Sequence, residues 1–140
     1  MKKVIALSGA FDPPTIGQTR MISHASRLGD VVIILNSDEW LLKRKFHIFL
    51  EREKRRQILL RMPGVIDVID AKDKDDTVCE TLRELRPDMF GNGGDRTPKN
   101  TPEFNLCLEL GIEPVWKIGS VEDKKQIESL YSKVVNAEKE

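Results

Sequence analysis

Short, mostly apolar runs recur along this chain, separated by stretches in which apolar residues return at helical spacing. The runs at 4–7 and 31–35 are unbroken, and further runs lie at 65–69, 89–90 and 114–118. Unbroken apolar runs are typical of strands buried on both faces of a parallel sheet. Helical spacing follows at 16–28, 51–62, 77–85, 101–110 and 120–134. The alternation predicts an α/β fold, a doubly wound sheet of five parallel strands, in a single domain of residues 1–140.

The same spacing predicts which side of each helix is apolar and where each helix begins. The expected stripes are Met21, Ala25 and Leu28, then Leu50, Lys54, Ile58 and Met62, then Val78, Leu82 and Leu85, then Phe104, Cys107 and Leu108, and last Ile127, Leu130 and Val134. Capping boxes are predicted at 77–80 and 120–123, and Thr101 and Pro102 are predicted as N-cap and first residue of their helix.

The turn after the first strand is the most informative stretch. Gly9 and Ala10 follow the apolar run, and the residues before Pro13 and Pro14 cannot be helical, because each proline disfavours the α region in its predecessor. A glycine-bearing turn between a buried strand and a helix offers free backbone N–H groups and the helix dipole to a phosphate. The alternative is a tight β–α connection that binds nothing.

Two more polar stretches follow predicted strands. Gly93, Gly94, Asp95 and Arg96 come after the fourth strand, at the end where open α/β sheets bind ligands. The basic triplet 43–45 follows the second strand in a predicted loop and is a candidate phosphate contact. The alternatives are a flexible turn and a solvated surface triplet.

Composition excludes several classes of function. Lysines and arginines number 23, as do aspartates and glutamates, so the formal net charge is zero and no basic field for nucleic acid is predicted. No apolar run is long enough to span a bilayer and the chain leads straight into a strand, so we expect no membrane partner and a cytoplasmic protein. Cys79 and Cys107 are expected as separate core thiols, and the polar loop 72–76 as a solvated turn, so we predict no protein-bound metal.

Residues 9–18 read Gly-Ala-Phe-Asp-Pro-Pro-Thr-Ile-Gly-Gln. This stretch resembles the signature Gly-x-Phe-Asp-x-x-His-x-Gly-His of the cytidylyltransferase-like nucleotidyltransferases, which include glycerol-3-phosphate cytidylyltransferase and the adenylyltransferase of ADP-heptose synthesis. Similar blocks follow in the family's order at 35–40, 77–88 and 92–96. Both signature histidines are absent, and Thr15 and Gln18 stand in their places.

The resemblance implies a Rossmann-like fold and an enzyme that transfers CMP or AMP from CTP or ATP to a small phosphorylated acceptor, releasing pyrophosphate, with Mg²⁺ accompanying the triphosphate. It implies catalytic roles for Thr15, Gln18, Lys43 and Lys45, and nucleotide contacts from Gly9, Ala10, Phe11, Asp12, Gly17, Gly94, Asp95 and Arg96. It also draws attention to Arg55, which lies in a recurring Glu-x-Arg pattern. Small members of the family commonly pair, which implies a homodimer, with 40–42 as the candidate contact.

Further departures from the family pattern leave two hypotheses. Phe46 and Glu51 replace a glycine and a proline, so the basic loop is expected to be stiffer or partly helical, and the family's Lys-x-x-Ser-Ser/Thr cluster is missing. Ser129 is the nearest serine, but it lies mid-helix and is assigned no role. The chain is either an active nucleotidyltransferase with altered phosphate contacts or a degenerate member that binds a nucleotide or a partner without turnover. An unrelated dinucleotide-binding domain is disfavoured because Gly-x-Gly-x-x-Gly is absent.

Overall fold

The structure, a computed structural model, describes residues 2–94 and 96–119. Its strands are β1 Val4–Gly9, β2 Asp30–Leu35, β3 Val65–Asp70, β4 Met89–Gly93 and β5 Glu113–Ile118. Its helices are α1 Ile16–Leu28, α2 Asp38–Lys45, α3 Arg52–Leu60, α4 Cys79–Leu85 and α5 Glu103–Leu110. The helix predicted from residue 120 onward, with its capping box, lies outside the described residues.

All strand pairs are parallel, and the sheet order is β3-β2-β1-β4-β5. Buried residues of α1 and α3 pack in a cluster on one face, and those of α4 and α5 pack in a second cluster on the other. The predicted doubly wound, five-stranded Rossmann-like sheet is therefore confirmed. From β1 the chain adds β2 and β3 on one side of the sheet and then β4 and β5 on the other, so the topological switch point lies between β1 and β4. The carboxyl ends of these two strands are therefore the expected ligand site.

The central strand follows the prediction most closely. Ile5, Ala6 and Leu7 are each fully buried, as an unbroken apolar run in a strand covered on both faces requires. The edge strand β3 differs, because Ile66 is 55% exposed. An edge strand has only one neighbour, so part of its apolar surface remains open to solvent.

The predicted stripes of α1 and α5 are confirmed at Ala25 and Cys107 and wrong at Leu28 and Leu108. In α1 the buried residues are Ile22 and Ala25, while Leu28 is 40% exposed. In α5 Leu106 and Cys107 are buried, while Leu108 is 60% exposed. Neighbouring lines on a helix differ by only a small rotation, and packing against the sheet, which the sequence does not display, chooses between them.

The stripe of α3 was predicted through Leu50, Lys54, Ile58 and Met62, but the buried residues are Arg55 and Leu59. Ile58 is 38% exposed. A buried arginine is invisible to a hydrophobic pattern, and here its hydrogen bonds set the rotation of the helix about its axis.

The predicted helix starts also need correction. The first turn of α4 is capped by Asp73, whose carboxylate oxygens accept the backbone N–H of Glu80 at 2.8 Å and of Thr81 at 3.2 Å. The N-cap residue of α4 is Val78, and the predicted capping box at Thr77 does not form. In α5 Pro102 occupies the N-cap position without a side-chain cap bond, so Thr101 and Pro102 each lie one position earlier than predicted.

The basic triplet is helical rather than a loop. Residues 43–45 form the last turn of α2, where positive charge is favourable at the C-terminal end of the helix dipole. Phe46 then ends the helix in the left-handed region, with φ of 60°. The expected exposed stretch 40–42 is only partly exposed, because Leu41 is buried and Leu42 is 53% exposed.

Candidate functional site

The signature turn is built over a buried aromatic ring. Phe11 is fully buried although its φ is 51°, and it belongs to the core cluster beneath the turn. A Cβ on Gly9 would lie 2.9 Å from the ring atom Cε2 of Phe11. Gly9 thus makes room for this ring, so its packing role is independent of any ligand.

Thr15 and Gln18 bind each other. The Thr15 hydroxyl oxygen accepts the backbone N–H of Gln18 at 3.2 Å, and the Gln18 side-chain oxygen accepts the backbone N–H of Thr15 at 2.9 Å. Together they form a capping box on α1. Both bonds use acceptor atoms, so the Thr15 O–H and the Gln18 amide N–H groups remain available to donate to a ligand.

Asp12 fastens a second segment to the signature turn. Its two carboxylate oxygens accept the backbone N–H of Phe49 at 2.8 Å and of Leu50 at 2.6 Å. The segment that connects α2 to α3, residues 46–51, is thereby held against the start of α1. Asp12 has at least this structural role, apart from the predicted nucleotide contact.

Arg55 joins several segments of the chain beneath the site. It is fully buried. Its guanidinium donates to the carbonyl oxygens of Leu50 at 3.0 Å, Ala10 at 2.7 Å and Asn36 at 2.9 Å. A fourth bond of 2.6 Å joins it to the Asp38 carboxylate. These bonds connect the ends of β1 and β2 to the start of α2, so the residue singled out by its Glu-x-Arg pattern is a structural anchor.

Two adjoining cavities open at the carboxyl ends of the strands and share Thr15 and Gln18. The smaller, of about 250 Å³, is also lined by Ala10, Phe11, Asp12 and Lys45. The larger, of about 470 Å³, lies between α1 and the end of β4 and is also lined by Gly17, Gly94 and Arg96. Most of the predicted site residues are therefore brought together around the capping box. Asp95 lies outside the described residues.

Lys43 lines neither of these two cavities. With Arg44 it lines a separate cavity of about 420 Å³ on the other side of α2, opposite Asp73, Asp75 and Asp76. Its ammonium lies 3.9 Å from Glu39, and Arg44 is ion-paired to Asp76. Hydrogen bonds from the backbone N–H and hydroxyl of Thr77 lower the pKa of the Asp75 carboxyl, which favours its charged form.

Two residues without a predicted role each line one of the two cavities. Arg20 reaches the larger cavity from α1, and its Nε and Nη1 atoms are buried without a hydrogen-bond partner in the part of the chain that the structure describes. His47 lines the smaller cavity. Nothing in the sequence distinguishes Arg20, whereas a histidine two residues after the basic triplet was a usable signal for His47.

The described residues, 2–94 and 96–119, offer no cluster of three or more His, Cys, Asp or Glu side chains that could hold a metal ion. Over the same residues, none of the helices has the length and apolar character needed to cross a bilayer. Cys79 and Cys107 are both free thiols; Cys107 is buried in the core as expected, whereas Cys79 is only partly buried.

Comparison with known proteins identifies the family. A cytidylyltransferase-like family model matches residues 6–130. The chain belongs to the cytidylyltransferase-like family. The resemblance inferred from residues 9–18 is thus confirmed, and the family's members support nucleotidyl transfer as the general chemistry.

Individual relatives agree with this assignment. The chain is 35% identical over 113 residues to the bifunctional protein HldE of Syntrophotalea carbinolica, covering 79% of this chain and 23% of that protein. It is 28% identical over 96 residues to the FAD synthase of Ferroglobus placidus, covering 69% of this chain and 61% of the relative. This chain therefore matches only part of the length of either curated relative.

A solved structure supports the fold. The crystal structure of the lipopolysaccharide core biosynthesis protein from Thermoplasma volcanium GSS1 is similar with a TM-score of 0.68 and 19% sequence identity, covering 84% of this chain and 97% of that one. At this identity the similarity concerns the architecture alone.

Proposed function

We propose that this chain transfers a CMP or AMP moiety from CTP or ATP to a small phosphorylated acceptor and releases pyrophosphate. The observation that carries the proposal is the pair of cavities at the β1–β4 switch point, with Thr15 and Gln18 between them. A phosphate at this position meets the N-terminus of α1 and two side chains with free donor groups. The nucleoside would extend toward Gly94 and Arg96.

The chemistry needs no protein nucleophile. The acceptor phosphate oxygen attacks the α-phosphorus, the bond to the bridging oxygen breaks, and pyrophosphate leaves. The protein then contributes positioning and charge stabilisation. Thr15 and Gln18 would donate to phosphate oxygens, Lys45 would add positive charge from the smaller cavity, and the substrate would be the magnesium complex of the triphosphate.

The two lysines of the basic triplet give a matched test of this site. Lys45→Met should lower the rate of pyrophosphate release by about tenfold or more, because it removes a charge beside the triphosphate. Lys43→Met changes the same residue type two positions away, and its geometry predicts a change below about threefold. Equal losses would support the catalytic role that the resemblance implied for Lys43 and would refute our placement of the triphosphate beside Lys45.

Restoring the signature tests whether the site is catalytic. Thr15→His with Gln18→His should raise turnover, because imidazoles add donors that can carry charge. The same change removes the capping box and should cost about 1–2 kcal/mol of stability, so unfolding must be measured alongside.

A binding module without turnover is the second candidate. It is favoured by the loss of both signature histidines and by the orientation of Lys43 away from the cavities. The deciding experiment measures pyrophosphate release with CTP and ATP across a panel of phosphorylated acceptors, with triphosphate binding followed by calorimetry. Binding with no release, from wild type and from the double histidine variant, would establish the binding module in place of the enzyme.

We further propose that the protein is a cytoplasmic homodimer. The exposed Leu42 and Phe46 at the end of α2 are the candidate contact within the described residues. Phe46 is 85% exposed, so its ring would be available to pack against a second copy of the chain.

A further inference from the structure

The chain holds two histidines, and neither lies in the signature. One of them, His47, nevertheless lines the cavity that contains Thr15, Gln18 and Lys45. An imidazole is thus available beside the residues that replaced the signature histidines, although it comes from a different segment of the chain.

The position of His47 is determined by the residues before it and after it in the chain. Phe46 ends α2 with φ of 60° and turns the chain back toward the signature turn. Beyond His47, the Asp12 carboxylate holds the backbone N–H groups of Phe49 and Leu50. The ring of His47 also packs on the ring of Phe49, with centroids 4.5 Å apart and planes at 79°. His47 is therefore presented by a segment that is bonded directly to the signature turn.

The other histidine has a different role. His24 Nδ1 accepts the backbone N–H of Gly119 at 3.1 Å, which joins α1 to the end of β5. His24 lines neither of the two cavities. It serves as a matched control for changes at His47.

We propose that His47 donates an N–H bond to the bound triphosphate and so replaces, from the α2–α3 segment, the charged donor that the signature lost. This inference rests on the proposed function, since it assumes a triphosphate beside Thr15 and Gln18. No covalent step is involved, because the imidazolium only donates a hydrogen bond to a phosphate oxygen.

The charges around His47 predict how its protonation depends on the ligand. Among the described residues, the charged side chains that line this cavity besides His47 are Asp12, from the signature turn, and Lys45, from α2. A triphosphate adds several negative charges at once, which should draw a proton onto His47 when the ligand binds near neutral pH.

The test measures triphosphate binding and its linked proton uptake. Calorimetry of ATP, and separately of CTP, in buffers of different ionisation enthalpy should show proton uptake on binding near pH 7 in wild type. His47→Gln should abolish the uptake and weaken binding about fivefold, since a charge-assisted bond becomes a neutral one. His24→Gln should retain both the affinity and the uptake.

A rescue experiment adds a readout that a merely structural role would not move. Introducing Thr15→His into the His47→Gln protein should restore proton uptake, because the imidazole returns from the signature side.

The possible outcomes separate the two proposals. If triphosphate binds and His47→Gln matches wild type in affinity and proton uptake, His47 has no such role while the proposed function stands. If wild type neither binds a triphosphate nor releases pyrophosphate, the proposed function fails and this inference fails with it.

Discussion

Replacing Arg55 by methionine should destabilise the protein more than any other single change of a charged residue described above. The substitution removes four hydrogen bonds and leaves the carbonyl oxygens of Leu50, Ala10 and Asn36 and the carboxylate of Asp38 without this donor. Breaking one side of a buried, hydrogen-bonded ion pair costs about 3–5 kcal/mol. Because the Asp38 side chain is 39% exposed, water recovers part of its solvation, so we expect a loss of about 3–4 kcal/mol.

Arg52→Met is the matched control. Arg52 lies on the same helix, and its Nε is 3.6 Å from Asp70 with a side chain 39% exposed, so its loss should cost less than about 1 kcal/mol. Urea unfolding followed by circular dichroism measures both variants, and for a domain of this size the Arg55→Met loss corresponds to a fall in Tm of about 10–14 °C.

A second variant keeps the argument testable if Arg55→Met does not fold. Arg55→Lys retains the positive charge, but a lysine ammonium has only three N–H donors and lacks the planar geometry of a guanidinium. It cannot make all four hydrogen bonds, so we expect a loss of stability between those of the other two variants. Equal stability of Arg55→Met and Arg52→Met would refute the view that Arg55 holds the strand ends together.

Three further predictions concern other features. Asp12→Asn, which replaces one acceptor oxygen by an N–H₂ group facing a backbone N–H, should cost about 1–2 kcal/mol in urea unfolding and lower triphosphate affinity; unchanged affinity would show that the 46–51 segment does not contribute to the site. Burial, reinforced by the charge of Glu103, raises the pKa of Cys107 to about 11 from an ordinary 9.0. The unfolded chain then loses this proton first, so the free energy of unfolding should fall by about 1–3 kcal/mol as pH rises from about 9 to 11, and Cys107→Ala should reduce the fall, as thermal unfolding across that range would reveal. Light scattering should report a dimer for wild type at micromolar concentration and a monomer for Leu42→Glu, whereas a monomeric wild type would contradict the proposed homodimer.

The sheet was predictable because its signal is local. Unbroken apolar runs such as 4–7 and 31–35 identify strands covered on both faces, and alternation with helices leaves a parallel doubly wound sheet as the natural arrangement. The buried faces of the helices were less predictable, because a hydrophobic pattern assigns every charged residue to the surface. Arg55 occupies a core position of α3 through hydrogen bonds to segments that are distant in sequence, and no periodicity displays such bonds.

The candidate site was predictable to a similar extent and for related reasons. The turn residues around Asp12 were found through a contiguous motif. The capping box of Thr15 and Gln18 also has a local signal in the sequence, a Thr-x-x-Gln pattern before a helix. The separation of Lys43 from Lys45 depends on α2 remaining helical through the basic triplet, where a loop was expected. His47 meets Thr15 only in three dimensions, whereas Arg20 lies five residues after Thr15 in the sequence.

The bonds of Asp12 to Phe49 and Leu50 have a consequence for how this site can change. In both of these bonds the Asp12 carboxylate accepts a main-chain N–H group of the segment and contacts no side chain. Every residue type except proline offers the same N–H group, so the identity of the side chains there is uncoupled from the position of the segment. Substitutions at 47–50 can therefore alter the lining of the smaller cavity while the segment keeps its place. We expect a library randomised at these positions, with Asp12 retained, to yield many folded proteins that differ in acceptor or nucleotide preference.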